Sequence, residues 1–157
     1  MASGEESKLK KVMVAIDESE CSHYALEWAL DHLRDSLSSP LVVFTAQPYA
    51  NVGYMAAASY GTPPPELIQS VQEHNKKMSL AILEKAKEIC SRRGVITETT
   101  TEVGDPKEVI CEAVDKLNID LLILGSNSRG ALERFFVGSV SNYCLHNANC
   151  PVLVVKK

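Results

Sequence analysis

The stretch LLILGSNSRGALERFFVGSVSNYC, Leu121 to Cys144, decides how this chain is read. Its opening residues are apolar at successive positions. Both faces of a strand here are therefore apolar and must be covered. Glycines at 125, 130 and 138 interrupt the run, and the residues from Ser139 to about Asn147 read as a helix. A strand apolar on both faces, then a loop, then a helix is the repeating unit of a parallel sheet clad on both sides.

The same unit recurs outward from that stretch. KKVMVAI (Lys10 to Ile16) is a short β-branched apolar run, and SECSHYALEWALDHLRD follows it. There Ala25, Trp28, Ala29 and Leu33 keep helical spacing, Ser19 is placed to cap the helix, and Glu20 suits its first turn. LVVFTAQ (Leu41 to Gln47) is a second buried strand. PYANVGYMAAASYGTPPP is long, irregular and rich in Gly, Pro and small residues, and such segments are usually functional. From Pro65 to Arg92 a helix is predicted with Leu67, Val71, Met78, Ile82, Ala86 and Ile89 on its buried face, ended by Gly94. VITETTTEV alternates and is the most polar strand, which places it at a sheet edge. In GDPKEVICEAVDKLN, Asp105 caps, Pro106 takes the first helical position and Glu108 the third. DLLILGS is the fourth strand and PVLVVKK the last. Five strands alternating with four helices, joined by right-handed crossovers, make an open α/β three-layer sandwich around a parallel sheet. Ligands of such sheets sit beyond the carboxyl ends of the strands.

Composition narrows the function. A chain of 157 residues with 45% hydrophobic content forms a real core. Residues 9–157 are expected to form one domain, after a disordered lead-in over residues 1–8. The net charge of −4 and the lack of a basic stripe argue against nucleic acid as a partner. No apolar run approaches the ~20 residues of a membrane span. The five cysteines, Cys21, Cys90, Cys111, Cys144 and Cys150, lack zinc-site spacing and read as small buried hydrophobes in a reducing compartment. Cys144 and Cys150, flanking a helix end, are the candidates for any redox role.

If the first and fourth strands are neighbours, Asp17, Ala46, Gln47 and the Gly125 loop converge on one crevice. Two familiar phosphate loops fail there. The dinucleotide fingerprint should follow the first strand, but that turn reads DESECS and has no glycine. Gly125 and Gly130 have Walker A spacing, yet Ala131 and Leu132 stand where Lys and Ser or Thr are needed. A flavin electron carrier would need a Ser/Thr-rich loop after the first strand, and the acidic DESECS repels phosphate. What remains is Gly125, Ser126, Ser128, Gly130, Gly138 and Ser139, with Arg129 and Arg134 to offset charge. Glycines admit close approach of an anion, and helix-start amides attract one. The competing reading is an ordinary tight connection in which Ser139 is merely an N-cap.

Here the chain resembles a plant-type universal stress protein. The resemblance runs from KVMVAIDESECSHYALEWAL, through GDPKEVICEAVDK, to GSNSRGALERFFVGSVSNYCLHNANCPVLVVKK. It implies a flavodoxin-like sheet of order 3-2-1-4-5. It also implies an ATP-binding pattern of Gly, two residues, Gly, nine residues, Gly, then Ser or Thr. Gly125, Gly138 and Ser139 meet this pattern, while the middle glycine falls on Ser128. A serine forced into a left-handed conformation there would cost about 1–2 kcal/mol. By the same resemblance Ala15 lines an adenine pocket, and Asp17 accepts the ribose hydroxyls. Ala46 presents backbone to the adenine edge. Gly125, Ser126, Ser128, Gly138, Ser139 and Val140 surround the phosphates, and magnesium could bridge them to Asp17.

The expected function is a soluble stress-response protein, cytoplasmic and also nuclear, in which ATP or AMP acts as a switch on conformation or assembly. Catalysis finds little support beyond slow ATP hydrolysis. No acid–base set can be placed at the γ-phosphate, and His146 reads as a helix-end residue. The alternative is a nucleotide-independent dimeric scaffold or chaperone-like protein that has lost ATP through Ser128. In either case the final strand, with Val152 and Val154, is expected to join two copies edge to edge.

Overall fold

A computed structural model of the chain describes residues 9–50, 61, 63–126 and 138–157. The lead-in expected over residues 1–8, and most of the irregular segment after Pro48, lie outside the described residues. The elements run β1 (Val12–Ala15), α1 (Glu20–Leu33), β2 (Leu41–Gln47), α2 (Pro65–Arg92), β3 (Thr97–Val103), α3 (Pro106–Lys116), β4 (Leu121–Gly125), α4 (Ser139–Asn147) and β5 (Val152–Val155). A single 3₁₀ turn, Arg34–Ser36, follows α1.

All five strands pair in parallel in the order β3-β2-β1-β4-β5, the flavodoxin-like arrangement. β1 is central: Met13 lies beside Val42 on one side and beside Leu122 on the other. The edges are polar β3, which has no buried residue, and apolar β5.

Side chains divide between the two faces with the strand period of two. Val12, Val14, Leu41, Val43 and Ile123 point to the face covered by α1 and α2. Met13, Ala15, Val42, Phe44, Leu122 and Leu124 point to the face covered by α3 and α4. Met13, Val14, Val43, Phe44, Leu122 and Ile123 are wholly buried. That explains why β1, β2 and β4 read as unbroken apolar runs.

The helices begin and end as their sequences require. Ser19 Oγ accepts from the Ser22 amide at 3.2 Å, and Asp105 Oδ1 accepts from the Lys107 amide at 3.3 Å. Gly94, at φ +71°, turns the chain out of α2 in a conformation few other residues adopt cheaply.

Two expected helix faces need correction. In α1 the buried residues are Ser22, Ala25, Leu26, Ala29 and Leu30, whereas Trp28 and Leu33 are half-buried at the margin. Trp28 stacks on His32 with centroids 4.5 Å apart. In α2 the buried residues are Ser79, Leu83, Ala86 and Cys90, while Leu67 and Met78 are 43% and 42% exposed. A helix of 28 residues is about 42 Å long, whereas the seven-residue β2 spans about 23 Å. Only the second half of α2 buries side chains. Arg93, at its end, pairs with Glu27 at 2.9 Å and Asp31 at 2.5 Å and so ties α2 to α1. Among the described residues no helix is long and apolar enough to cross a membrane.

Candidate functional site

The carboxyl ends of β1, β2 and β4 lie side by side, and specific hydrogen bonds fix their mutual geometry. The Ile16 amide donates to Phe44 O at 2.8 Å, which extends the β1–β2 pairing beyond β1. Thr45, buried in β2, donates its hydroxyl to Ile16 O at 2.7 Å. The buried carbonyl at the exit of β1 is thus satisfied by a side chain, and the following turn is anchored.

That turn, Asp17 to Ser22, is held by its own side chains. Asp17 Oδ1 accepts from the Ser19 amide at 2.8 Å, and the Asp17 amide donates to Ser22 Oγ at 3.0 Å. The Ser22 hydroxyl lies 3.1 Å from Asp17 O and 3.0 Å from Ser19 O, either of which can accept its proton. Asp17 is therefore fixed in direction at the end of the central strand through one carboxylate oxygen. Among the described residues its second oxygen has no such partner and remains able to accept.

Gly125 ends β4. A Cβ at this position would lie 2.4 Å from Cys21 O, 2.6 Å from Cys21 C and 2.9 Å from Ser22 N. The glycine lets the first turn of α1 pack against the end of β4. This is a structural requirement separate from any ligand. Its carbonyl accepts from the buried Ser141 hydroxyl at 3.0 Å, and the next amide, of Ser126, donates to Val155 O at 3.0 Å. Ser141 thereby clips the start of α4 to the end of β4.

Gly138, not Ser139, occupies the N-cap of α4, with φ −57° and ψ 158°. Ser139 is the first helical residue, so its expected alternative role as N-cap does not hold. Among the described residues no side chain caps this helix, and its first turn holds no acid. Its leading amides and the positive end of its dipole therefore face whatever lies in front of them. A glycine at the cap also keeps that approach clear of side-chain atoms.

These pieces enclose a cleft of about 300 Å³, at the lower end of the range for small-ligand pockets. Seven of the candidate binding residues line it, namely Ala15, Asp17, Ala46, Gly125, Gly138, Ser139 and Val140, and the capping Ser19 does so as well. Ser126 is buried and is not among the lining residues. Ser128 and Arg129, with Gly130 and Arg134, lie outside the described residues. Sequence reasoning missed Ile16, Ser22, Pro106, Ile110, Leu124 and Ser141, which also line the cleft. Leu124 and Ile110 could have been found from their place at a strand end and one turn into a helix. Ser141 carried only a weak signal, a second serine just inside α4. The result is an apolar slot walled by Ala15, Ala46, Ile110, Leu124 and Val140 and lined as well by Asp17 and by Gly138 and Ser139 at the start of α4. Such a slot suits a flat apolar group joined through a polar linker to an anion.

All five cysteines are free thiols, and none is exposed. Cys144 lies near Cys111, with the sulfurs 3.8 Å apart. His146 is exposed near the end of α4, its Nδ1 2.8 Å from Asn142 O.

A protein-family model described as the universal stress protein family matches residues 8–156. A universal stress protein A-like protein of Arabidopsis thaliana is 32% identical, over 96% of this chain and 92% of its own length. The universal stress protein YxiE of Bacillus subtilis is also 32% identical, over 93% of this chain and 98% of its own. Among solved structures, a universal stress protein family protein from Arabidopsis thaliana with AMP bound superposes with a TM-score of 0.67. That pair is 28% identical, with 94% of this chain and 92% of the other covered. Matched along nearly its whole length, and folded with the strand order that the resemblance implied, the chain belongs to the universal stress protein family.

Proposed function

We propose that this protein binds an adenine nucleotide, AMP or ATP, in the cleft at the carboxyl edge of the sheet. The observation that carries the proposal is the joining, in one slot, of apolar walls, a directed carboxylate and an uncapped helix start. The similar Arabidopsis structure, solved with AMP bound, supports it. The adenine would lie against Ala15 and Val140, its edge meeting the backbone at Ala46. Asp17 would accept the ribose hydroxyls through its second oxygen. The phosphates would face Gly125, Gly138 and the Ser139 amide and hydroxyl, with Ser126, Ser128 and Arg129 contributing from the intervening loop. Magnesium would bridge a phosphate to Asp17. Bound nucleotide would act as a switch: Ser141 ties α4 to β4, so a ligand drawing on the α4 amides favours one placement of that helix.

We further propose a homodimer joined through the edge strand β5, with Val152 and Val154 at the contact, in the cytoplasm and nucleus. β5 is apolar and at a sheet edge, the kind of edge that pairs readily with its twin. Val154→Pro should give monomer on size exclusion; an unaltered dimer refutes this contact.

The test of the site is calorimetric titration of ATP, AMP and GTP into protein stripped of nucleotide. Micromolar, adenine-selective binding lost in Asp17→Ala is the expected result. Absence of binding in the wild type, with recovery in Ser128→Gly, would instead favour a nucleotide-independent scaffold whose loop has lost its ligand.

A further inference from the structure

Beneath the cleft, α3 and α4 meet through sulfur. Cys111 of α3 and Cys144 of α4 are separated by 33 positions in sequence, yet their sulfurs are 3.8 Å apart. Cys144 is wholly buried, whereas Cys111 and Cys150 are partly open and pack against the same cluster. The sequence pointed to Cys144 and Cys150, but the geometry pairs Cys144 with Cys111 across two helices. The site is adjacent to the cleft: Ile110, next to Cys111, and Ser141, one turn before Cys144, are both lining residues.

We infer that Cys111 and Cys144 form a peroxide-driven disulfide that staples α3 to α4. Cys111 is the attacking thiol because it is the more open of the two. Its thiolate attacks hydrogen peroxide, the O–O bond breaks, water leaves, and Cys111 becomes a sulfenic acid. The Cys144 sulfur, already in contact, attacks the sulfenic sulfur. The S–O bond breaks, a second water leaves, and the disulfide closes. Two thiols are oxidised by two electrons in all, and one peroxide is reduced to two waters.

The electrostatics set the threshold. Burial raises the Cys111 thiol pKa, partly offset when Cys144 donates its S–H to the Cys111 sulfur. Burial, with Cys111 as neighbour, pushes Cys144 up to about 12. Few thiolates exist near neutrality, so the pair stays reduced against trace peroxide and closes under a sustained excess. The rate therefore rises about tenfold per pH unit below the pKa of the attacking thiol.

The test uses the full chain treated with excess hydrogen peroxide, quenched with an alkylating reagent and mapped without reduction. A peptide linking Cys111 to Cys144 is expected, with a rise in melting temperature on the order of 5–10 °C for a loop of this length. Slower amide exchange in α4, reversed by a reducing agent, should accompany it. Cys150→Ser should keep the linkage, while Cys111→Ser and Cys144→Ser should each abolish both linkage and melting shift. A Cys144–Cys150 link, or Cys111 overoxidised with Cys144 still alkylatable on unfolding, overturns the assignment.

Discussion

Gly125 would be expected, from its place in a glycine-rich loop, to serve the ligand. The structure gives it a different primary duty, and Gly125→Ala separates the two. The added methyl would start 2.4 Å from Cys21 O and 2.6 Å from Cys21 C. Both obstacles are backbone, in the first turn of a helix, so no side-chain rotation relieves them. Reaching ordinary contact near 3.5 Å requires α1 and β4 to separate by about 1 Å. That opens the packing of Ala25 and Leu26 on the sheet, both now wholly buried. Overpacking of this kind costs about 1–3 kcal/mol, and the backbone nature of the clash places it in the upper half of that range. For a chain of this size, about 2–3 kcal/mol lowers the melting midpoint by about 5–10 °C. In urea it corresponds to roughly 1 M at the midpoint. The assay is reversible unfolding of nucleotide-free protein, followed by circular dichroism. A variant within about 0.5 kcal/mol of wild type, losing only affinity for nucleotide, would refute the packing argument and return Gly125 to the ligand.

Other consequences are equally open to measurement. Ser141→Ala removes the hydroxyl that satisfies Gly125 O; it should cost about 1 kcal/mol in urea unfolding and speed amide exchange at the start of α4. Thr45→Val leaves Ile16 O, at the exit of the central strand, without its donor; a loss of about 1–3 kcal/mol is expected, and an unchanged midpoint would mean that water replaces the hydroxyl. Burial pushes the Cys90 thiol from 9.0 up to about 11. The unfolded chain therefore ionises near pH 9 while the folded one holds its proton. Stability attributable to this group is intact below pH 9 and falls between about pH 9 and 11, by up to roughly 1.4 kcal/mol per unit. Cys90→Ala should be less steep than wild type over that window in a series of urea melts; parallel curves would show that Cys90 ionises alike in both states.

The architecture was legible because its strongest signals are local. β2, α2 and α4 fall on the residues that apolar runs, Pro65 and the Gly138–Ser139 pair indicated. Ser19 and Asp105 cap as their chemistry suggests, and the polar β3 lies at an edge. The misreadings share one cause. Periodicity reports which residues could face a core, not where the core ends, so Leu67 and Met78 were assigned to a face that α2 does not bury at those positions. The true face includes Ser79 and Cys90, small residues whose burial reflects close approach, not hydrophobicity. In the cleft, positions carried by the Gly125 and Gly138 motif were found. Ile110 and Ser141 were not, because their roles arise from how α3 and α4 meet. The Cys111–Cys144 contact was invisible for the same reason.

The central position of β1 also governs the order in which the molecule can be made. β1 and β2 leave the ribosome early, but the far side of β1 pairs with β4, which begins at Leu121. A nascent chain shorter than this carries a wholly apolar strand with one row of backbone donors and acceptors unpaired, a template for association with other chains. The cleft suffers the same delay, since Asp17 and Ala46 wait for Gly138 and Ser139 to arrive from near the other end. Synthesis that stalls before β4 is made therefore yields no weakened version of the protein. It yields a sticky half-sheet, and quality control must recognise that bare edge.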